Sequence, residues 1–338
     1  MTVLATGATG LLGSHVVDLL LRRGDKVRAL VRPDDQSPRV EQMKLAGVDV
    51  CFGDVADRAS LESAVRGTER VLHCAARTGP WGLRREYETT NVWGLKTLLD
   101  VALNAGVQRF VHVSSITVHG NDVRGSADET SPFRVEPNPY SWSKVMGERL
   151  LQQMIVDRGA PVTIVRPGWV YGPGDTASFA RFASMVQHQK MILMGSGNNH
   201  VPLIYVGDVA RGILLASETA QAAGRTYLLV SDERVTQREY LGAIARELGV
   251  RAPTRRIPYR LALTLGSLAE QFGHLTRRQA APPVTRYGVQ MLGGENSFLI
   301  GRARRELGFS PEVSLAEGVR RSIEWYRTWA GTADSERR

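Results

Sequence analysis

Thr2-Val3-Leu4-Ala5-Thr6-Gly7-Ala8-Thr9-Gly10-Leu11-Leu12-Gly13 decides how the rest of the chain is read. Residues 2–6 have the pattern of a short buried strand, which runs without a linker into three glycines. Behind them Val16, Val17, Leu19, Leu20 and Leu21 recur with helical period. Gly24 stops that helix, and residues 26–31 resume as a strand. Strand, glycine turn, helix and strand in this order form a dinucleotide-binding unit. Each glycine has its own reason. Gly7 allows the tight turn, Gly10 lets the backbone approach a pyrophosphate, and Gly13 lets helix and strand pack closely. The helix amino terminus then turns unpaired N–H groups and a positive dipole end toward the phosphates.

The end of the second strand speaks to the choice of cofactor. NAD sites usually place an acidic residue there for the ribose 2′-OH. Here Val31 holds that position and Arg32 follows. A guanidinium can pair with a 2′-phosphate through its planar fork, which favours NADP(H). The plainer alternative is a surface cation stacked over the adenine, with NAD(H) bound. Gly53-Asp54 ends a strand over residues 49–52 and could bring Asp54 to the adenine amino group. The small residues Ala75 and Ala76, after a strand from Val71, leave room for the cofactor to pass.

Further along, Tyr140 and Lys144 are spaced i and i+4 and so share one face of a helix. An ammonium beside a phenol is expected to lower its pKa from about 10 toward working pH. Such a phenol suits proton exchange with a carbonyl or hydroxyl. The pair gains meaning from the glycine turn upstream and from the Ser114-Ser115 strand end between them.

Taken together, Thr6 to Gly13, Gly53-Asp54, Asn91-Val92-Trp93-Gly94, Ser114-Ser115, Tyr140-x-x-x-Lys144 and Arg166-Pro167-Gly168 resemble the extended short-chain dehydrogenase/reductase family. The resemblance covers essentially the whole chain. Within the family, Ala75 to Gly82 and Pro282-Pro283-Val284-Thr285 are most similar to the 3β-hydroxysteroid dehydrogenase branch, which includes 2-alkyl-3-oxoalkanoate reductases. It implies Tyr140 as acid/base, Lys144 as its tuner and a clamp on the nicotinamide ribose, and Ser115 as the group that binds the substrate oxygen. Besides the glycines, Arg32 and Asp54, the cofactor contacts it implies are Thr9, Leu11, Leu12, Val55, Ala75, Ala76, Arg77, Asn91, Pro167 and Gly168. Asn91 fits an architectural or water-holding role better than direct participation. A homodimer built on the helices of Asn91 and Tyr140 is also implied.

Departures from the family pattern narrow the reaction. Sugar-nucleotide dehydratases carry an acidic pair after the catalytic Ser/Thr, whereas Ile116-Thr117 stands here, and Ile116 moves no proton. Epimerases usually carry an Asn where Trp169 falls. A broad indole in place of an amide points to an apolar ketone or alcohol substrate, with plain core packing as the alternative. Trp81, between Pro80 and Gly82, is either a wall over the nicotinamide or a loop anchor. The rival readings are a nucleotide-sugar epimerase with bound NAD and a non-catalytic cofactor sensor. The retained Tyr/Lys pair argues against the sensor.

The composition is that of an ordinary globular protein: 338 residues, 43% hydrophobic and 23% charged. No apolar run reaches the roughly 20 residues of a spanning helix. The start shows no basic-then-apolar leader, so the expected location is cytoplasmic. Cys51 and Cys74 lack metal spacing and are expected as reduced thiols, with no metal site. A net charge of +9 raises the question of nucleic acid. The arginines are scattered without interleaved aromatics, so no nucleic-acid partner is expected. A weak attraction to an anionic membrane stays open.

The expected fold is α/β, a Rossmann-type doubly wound parallel sheet with a smaller, discontinuous substrate-binding part. Helices are expected over 60–65, 91–105 and 140–156, and strands over 71–74, 109–113 and 162–166. Residues 1–171 and 203–234 are assigned to the dinucleotide part, with 202–209 rejoining the sheet. Residues 172–202 and 235–330 are assigned to the substrate part. Residues 256–275 read as a substrate-side helix or as one that rests on a membrane. Ser314 to Glu317 reads as a capping box, and residues 331–338 as a disordered tail.

Overall fold

The computed structural model of the protein describes residues 1–123 and 125–335. Seven strands make the main sheet: β1 Thr2–Thr6, β2 Lys26–Val31, β3 Asp49–Phe52, β4 Arg70–His73, β5 Arg109–Val113, β6 Val162–Pro167 and β7 Thr226–Leu229. Their order is β7-β6-β5-β4-β1-β2-β3, and every neighbouring pair is parallel. Strand order reverses between β1 and β4, where Thr6 lies opposite His73. A crevice at the carboxyl ends of these strands is the place such sheets bind ligands. Val3, Leu4, Ala5, Val71 and Leu72 are fully buried, as expected of a sheet covered on both faces.

Two expectations about the second half need correction. Residues 203–205 do not rejoin the main sheet. Leu203–Tyr205 pairs in parallel with Trp169–Tyr171 as a separate two-stranded sheet. A Cβ on Gly168 would come within 2.4 Å of the Pro202 carbonyl oxygen, so only glycine lets the two segments meet there. The strand that returns is β7, beside β6. Residues 300–309, assigned to the substrate part, instead bury Ile300, Ala303, Leu307 and Phe309 in the core against the main sheet.

Other elements shift by less. The helix expected over 91–105 begins with a turn at Arg84–Tyr87, widens to a π-helix over Glu88–Gly94 and continues as Leu95–Asn104. A π-helical turn is rare and often marks a functional site. The capping box at Ser314 is half formed. Ser314 Oγ accepts the Glu317 N–H at 3.3 Å, while the Glu317 carboxylate pairs with Arg320 and Arg321. Nor is the chain irregular from residue 331, because the last helix runs Leu315–Ser335. The rest of the expected tail, 336–338, lies outside the described residues. Cys51 and Cys74 are unbridged. No described helix is long and apolar enough to cross a membrane.

Candidate active site

The glycine turn has the geometry a dinucleotide requires. Gly7 sits at φ +66°, and a Cβ there would lie 2.8 Å from the Ala75 backbone. A Cβ on Gly13 would lie 2.0 Å from the Gly7 carbonyl oxygen, closing the helix–strand contact to any other residue. At Gly10 a Cβ would meet only that same oxygen, at 3.3 Å, so the side facing the groove is open. From this turn a single cavity of about 1260 Å³ runs past Arg32, Asp54 and Val55, then Ala75 to Pro80, to Ser115, Tyr140 and Lys144. Pockets for one small ligand hold about 300–1000 Å³, so this one has room for a dinucleotide and a second molecule. The chain's own residues therefore fit the cofactor.

At the glycine-turn end, Thr9, Leu11 and Leu12 line the cavity with the three glycines. Thr9 Oγ1 donates to Asp35 at 2.7 Å. Arg32 is largely exposed, its guanidinium 3.7 Å from Asp34. The Asp54 carboxylate accepts the Ala56 N–H at 2.8 Å, which fixes its loop at the cavity wall. Pro167 and Gly168 line the far side.

The Tyr140 end of the cavity is built on one helix, Pro139–Arg158, with proline at its first position. Asn138 caps it by accepting the Ser141 N–H at 2.8 Å. Tyr140 and Lys144 share a face, with Lys144 Nζ 5.8 Å from the Tyr140 ring centroid. The ammonium donates to the Val113 carbonyl at 2.8 Å. Ser115 caps the short 3-10 turn Ile116–His119 and hydrogen-bonds Tyr140. Ser114 is turned away, its Oγ donating to buried Glu148 at 2.5 Å. Of the two serines, Ser115 is therefore the one beside the phenol.

Electrostatics at this end differ from the sequence expectation. Burial pushes the Tyr140 phenol up to about 12, and its bond with Ser115 opposes that shift. Burial also lowers Lys144 to about 8, against the pull of Glu148 and Cys74. Desolvation thus outweighs the mutual effect of the pair in the protein alone, and both groups move toward their neutral forms. Because Lys144 has a depressed folded-state pKa, the unfolded chain binds more protons between about 8 and 10.5. Its contribution to stability is full above 10.5 and is lost as pH falls toward 8. Cofactor-free wild type should accordingly gain more stability across that range than Lys144→Met, as read by denaturant titration at each pH. Equal gains would contradict the assignment.

Two expected contacts fall elsewhere. Asn91 does not line the cavity. Its amide accepts the Arg77 N–H at 2.8 Å, donates to the Arg77 carbonyl at 2.9 Å and reaches Ser143 Oγ at 2.8 Å. It ties the 75–77 loop to the helix of Tyr140 and is spent there. Trp81 is likewise outside the cavity lining. Its ring stacks on His274 with centroids 4.2 Å apart, and its Nε1 donates to the Arg278 carbonyl at 3.0 Å. It anchors a loop.

Trp169 does line the cavity. It packs edge-on against Phe182 at 5.4 Å and donates to Ser178 Oγ at 3.3 Å. With Met185, Met191, Met194 and Leu292 it makes an apolar chamber beyond Tyr140. Two groups escaped the sequence reading. Tyr287, from the helix Arg286–Gly293, sets its ring edge-on to Tyr140 at 6.4 Å and hydrogen-bonds Thr117. Glu148, one turn beyond Lys144, holds Arg166 in a fully buried pair at 2.6 Å. The spacing of 140, 144 and 148 could have revealed Glu148, but nothing local marks Tyr287. Among the described residues no group of side chains could hold a metal.

Comparison with known proteins agrees with this geometry. The 2-alkyl-3-oxoalkanoate reductase of Stenotrophomonas maltophilia is 29% identical over 331 residues, covering 95% of this chain and 98% of that one. The 3-beta-hydroxysteroid dehydrogenase of Mycolicibacterium neoaurum is also 29% identical, covering 96% and 91%. Among solved structures, a dTDP-glucose 4,6-dehydratase from Streptomyces venezuelae with NAD bound superposes with a TM-score of 0.78 at 28% identity, covering 98% of each chain. The NAD dependent epimerase/dehydratase description matches residues 3–229. With its glycine cradle, its Tyr/Lys helix and that match over most of its length, the chain belongs to the NAD dependent epimerase/dehydratase family of NAD(P)-dependent proteins.

Proposed function

We propose that the protein interconverts a ketone and a secondary alcohol on a hydrophobic, steroid-like or fatty-acid-derived substrate, with NADP(H) preferred. The observation that carries this reading is the continuity of the cofactor groove with the Trp169 chamber, which is walled mainly by thioethers and aromatics, with Arg181 and Lys190 among its few polar groups. Apolar walls with a few convergent polar groups suit a lipid-like ketone better than a charged nucleotide sugar. Bound dihydronicotinamide supplies the hydride. Tyr140, held as a phenol, passes its proton to the carbonyl oxygen, and Ser115 donates a hydrogen bond to the same oxygen. Lys144, anchored by Val113, stands where its charge offsets the phenolate left behind. Ile116, where dehydratases carry an acid, and Trp169, where epimerases carry an amide, both favour plain redox chemistry.

Trp93 and Val156 leave large apolar surface exposed on the two helices of the expected homodimer, which supports that assembly. The test of function is a panel of hydrophobic ketones and alcohols followed by NADPH and NADH absorbance, with nucleotide sugars as contrast. Turnover of ketones with NADPH is expected. Turnover of nucleotide sugars alone would overturn the reading. In the same assay Arg32→Ala should lower the NADPH-to-NADH ratio of kcat/KM by about tenfold or more. An unchanged ratio would remove Arg32 from the cofactor assignment.

A further inference from the structure

The helix Tyr259–Leu275 turns two unlike faces. Ala262, Gly266 and Gly273 are buried, and a Cβ on Gly273 would come within 2.9 Å of the Trp81 ring. On the other face Leu261, Leu265, Leu268, Phe272 and Leu275 are 48, 46, 55, 67 and 82% exposed. Their spacing alternates between four and three residues, so they form one straight stripe about 21 Å long. One exposed leucine is normal, but five large apolar side chains in register are not.

Charge is concentrated around the stripe. Residues 251–286 hold seven arginines and one glutamate, with no lysine or aspartate, a net +6 of the chain's +9. Arg255, Arg256 and Arg260 stand exposed before the stripe, and Arg277 and Arg278 stand exposed after it. The one acid, Glu270, is half-buried and accepts the Arg286 N–H at 2.9 Å. The stripe also borders the substrate chamber. Leu265 and Val284 are exposed and at the same time line the cavity.

We propose that this face docks on an anionic lipid bilayer. The stripe enters the acyl boundary while the flanking arginines reach headgroup phosphates, their stems lying along the apolar surface. The docked orientation sets the chamber mouth against the membrane, from which an apolar substrate can enter. A second copy of the chain would cover the leucines equally well. A two-fold contact, however, would press each arginine-rich surface against its own duplicate, a like-charge arrangement. No described helix crosses a bilayer, so the contact is a surface seat.

The test is flotation of the full chain with vesicles of phosphatidylcholine alone and of an equal phosphatidylcholine–phosphatidylglycerol mixture. Wild type should float with the mixed vesicles at low salt and bind phosphatidylcholine alone about tenfold or more weakly. The double variant Leu268→Asp/Phe272→Asp should bind the mixed vesicles about tenfold or more weakly, with melting temperature and NADPH affinity unchanged. Arg277→Gln/Arg278→Gln should lose most of the preference for phosphatidylglycerol. Three results would overturn the proposal. These are wild type left unfloated, the double Asp variant floating like wild type, and that variant changing oligomeric mass with flotation unaltered, which would make the face a contact between copies. Flotation reads no catalysis, so a failed ketone panel and a failed flotation are separate outcomes.

Discussion

Tyr140→Phe is expected to lower turnover by about 10²–10⁴-fold, the usual contribution of a positioned proton donor. Cofactor affinity should stay near wild type. The ring and its edge-on contact with Tyr287 survive the change, and only the hydroxyl is lost. Burial holds the Tyr140 phenol up at about 12, so in the proposed reduction it would begin with its proton in place. Tyr287 is a poor substitute, because burial also raises it and Thr117 already engages its hydroxyl. Steady-state turnover at saturating NADPH, with fluorescence titration of the cofactor, separates the two effects. Near-normal turnover would transfer the proton step to another group, with Tyr287 the first to examine.

Glu148→Ala carries the largest expected cost to stability, about 3–5 kcal/mol, because it strands a buried guanidinium. Arg166 Nε and Nη2 both donate to the carboxylate, at 2.9 and 2.6 Å, and both side chains are nearly inaccessible to solvent. Ser114 loses its acceptor in the same change. Removing both charges with Glu148→Ala/Arg166→Met should recover part of the loss, since the penalty lies in the uncompensated ion. Denaturant midpoints of the three proteins decide the matter. A single-variant cost under about 1 kcal/mol would mean that solvent reaches Arg166. The same pair fixes the helix that carries Tyr140 and Lys144, so activity should fall together with stability.

Much of the nucleotide half was legible in the sequence because its signals are local. The glycine turn, the alternating strands and helices up to residue 170 and the Tyr–Lys spacing each lie within a few turns of chain. The return strand Thr226–Leu229 was not legible. Its three successive buried residues, Tyr227 to Leu229, carry no alternation to separate strand from helix, and Leu203 to Tyr205 offered an equally apolar decoy. For Asn91 an architectural role, and for Trp81 a loop anchor, stood beside the cofactor and substrate readings, and the sequence alone did not decide between them. Their hydrogen bonds are consumed instead by Arg77, Ser143 and Arg278, partners that only the folded chain brings near. The phenol pKa failed for a related reason. Spacing reveals who the neighbours are, but the depth of burial that governs both Tyr140 and Lys144 comes from the assembled walls.

The small sheet that joins Trp169–Tyr171 to Leu203–Tyr205 has a mechanical consequence. It continues β6 directly into the chamber, so that side of the pocket is a rigid extension of the dinucleotide platform. The same cavity is also lined by Ala262 and Leu265 of the helix Tyr259–Leu275, which buries only an alanine and two glycines. A segment with so little buried apolar area sits at the low end of local stability. Loosening of the pocket wall is therefore expected to cost least along this helix.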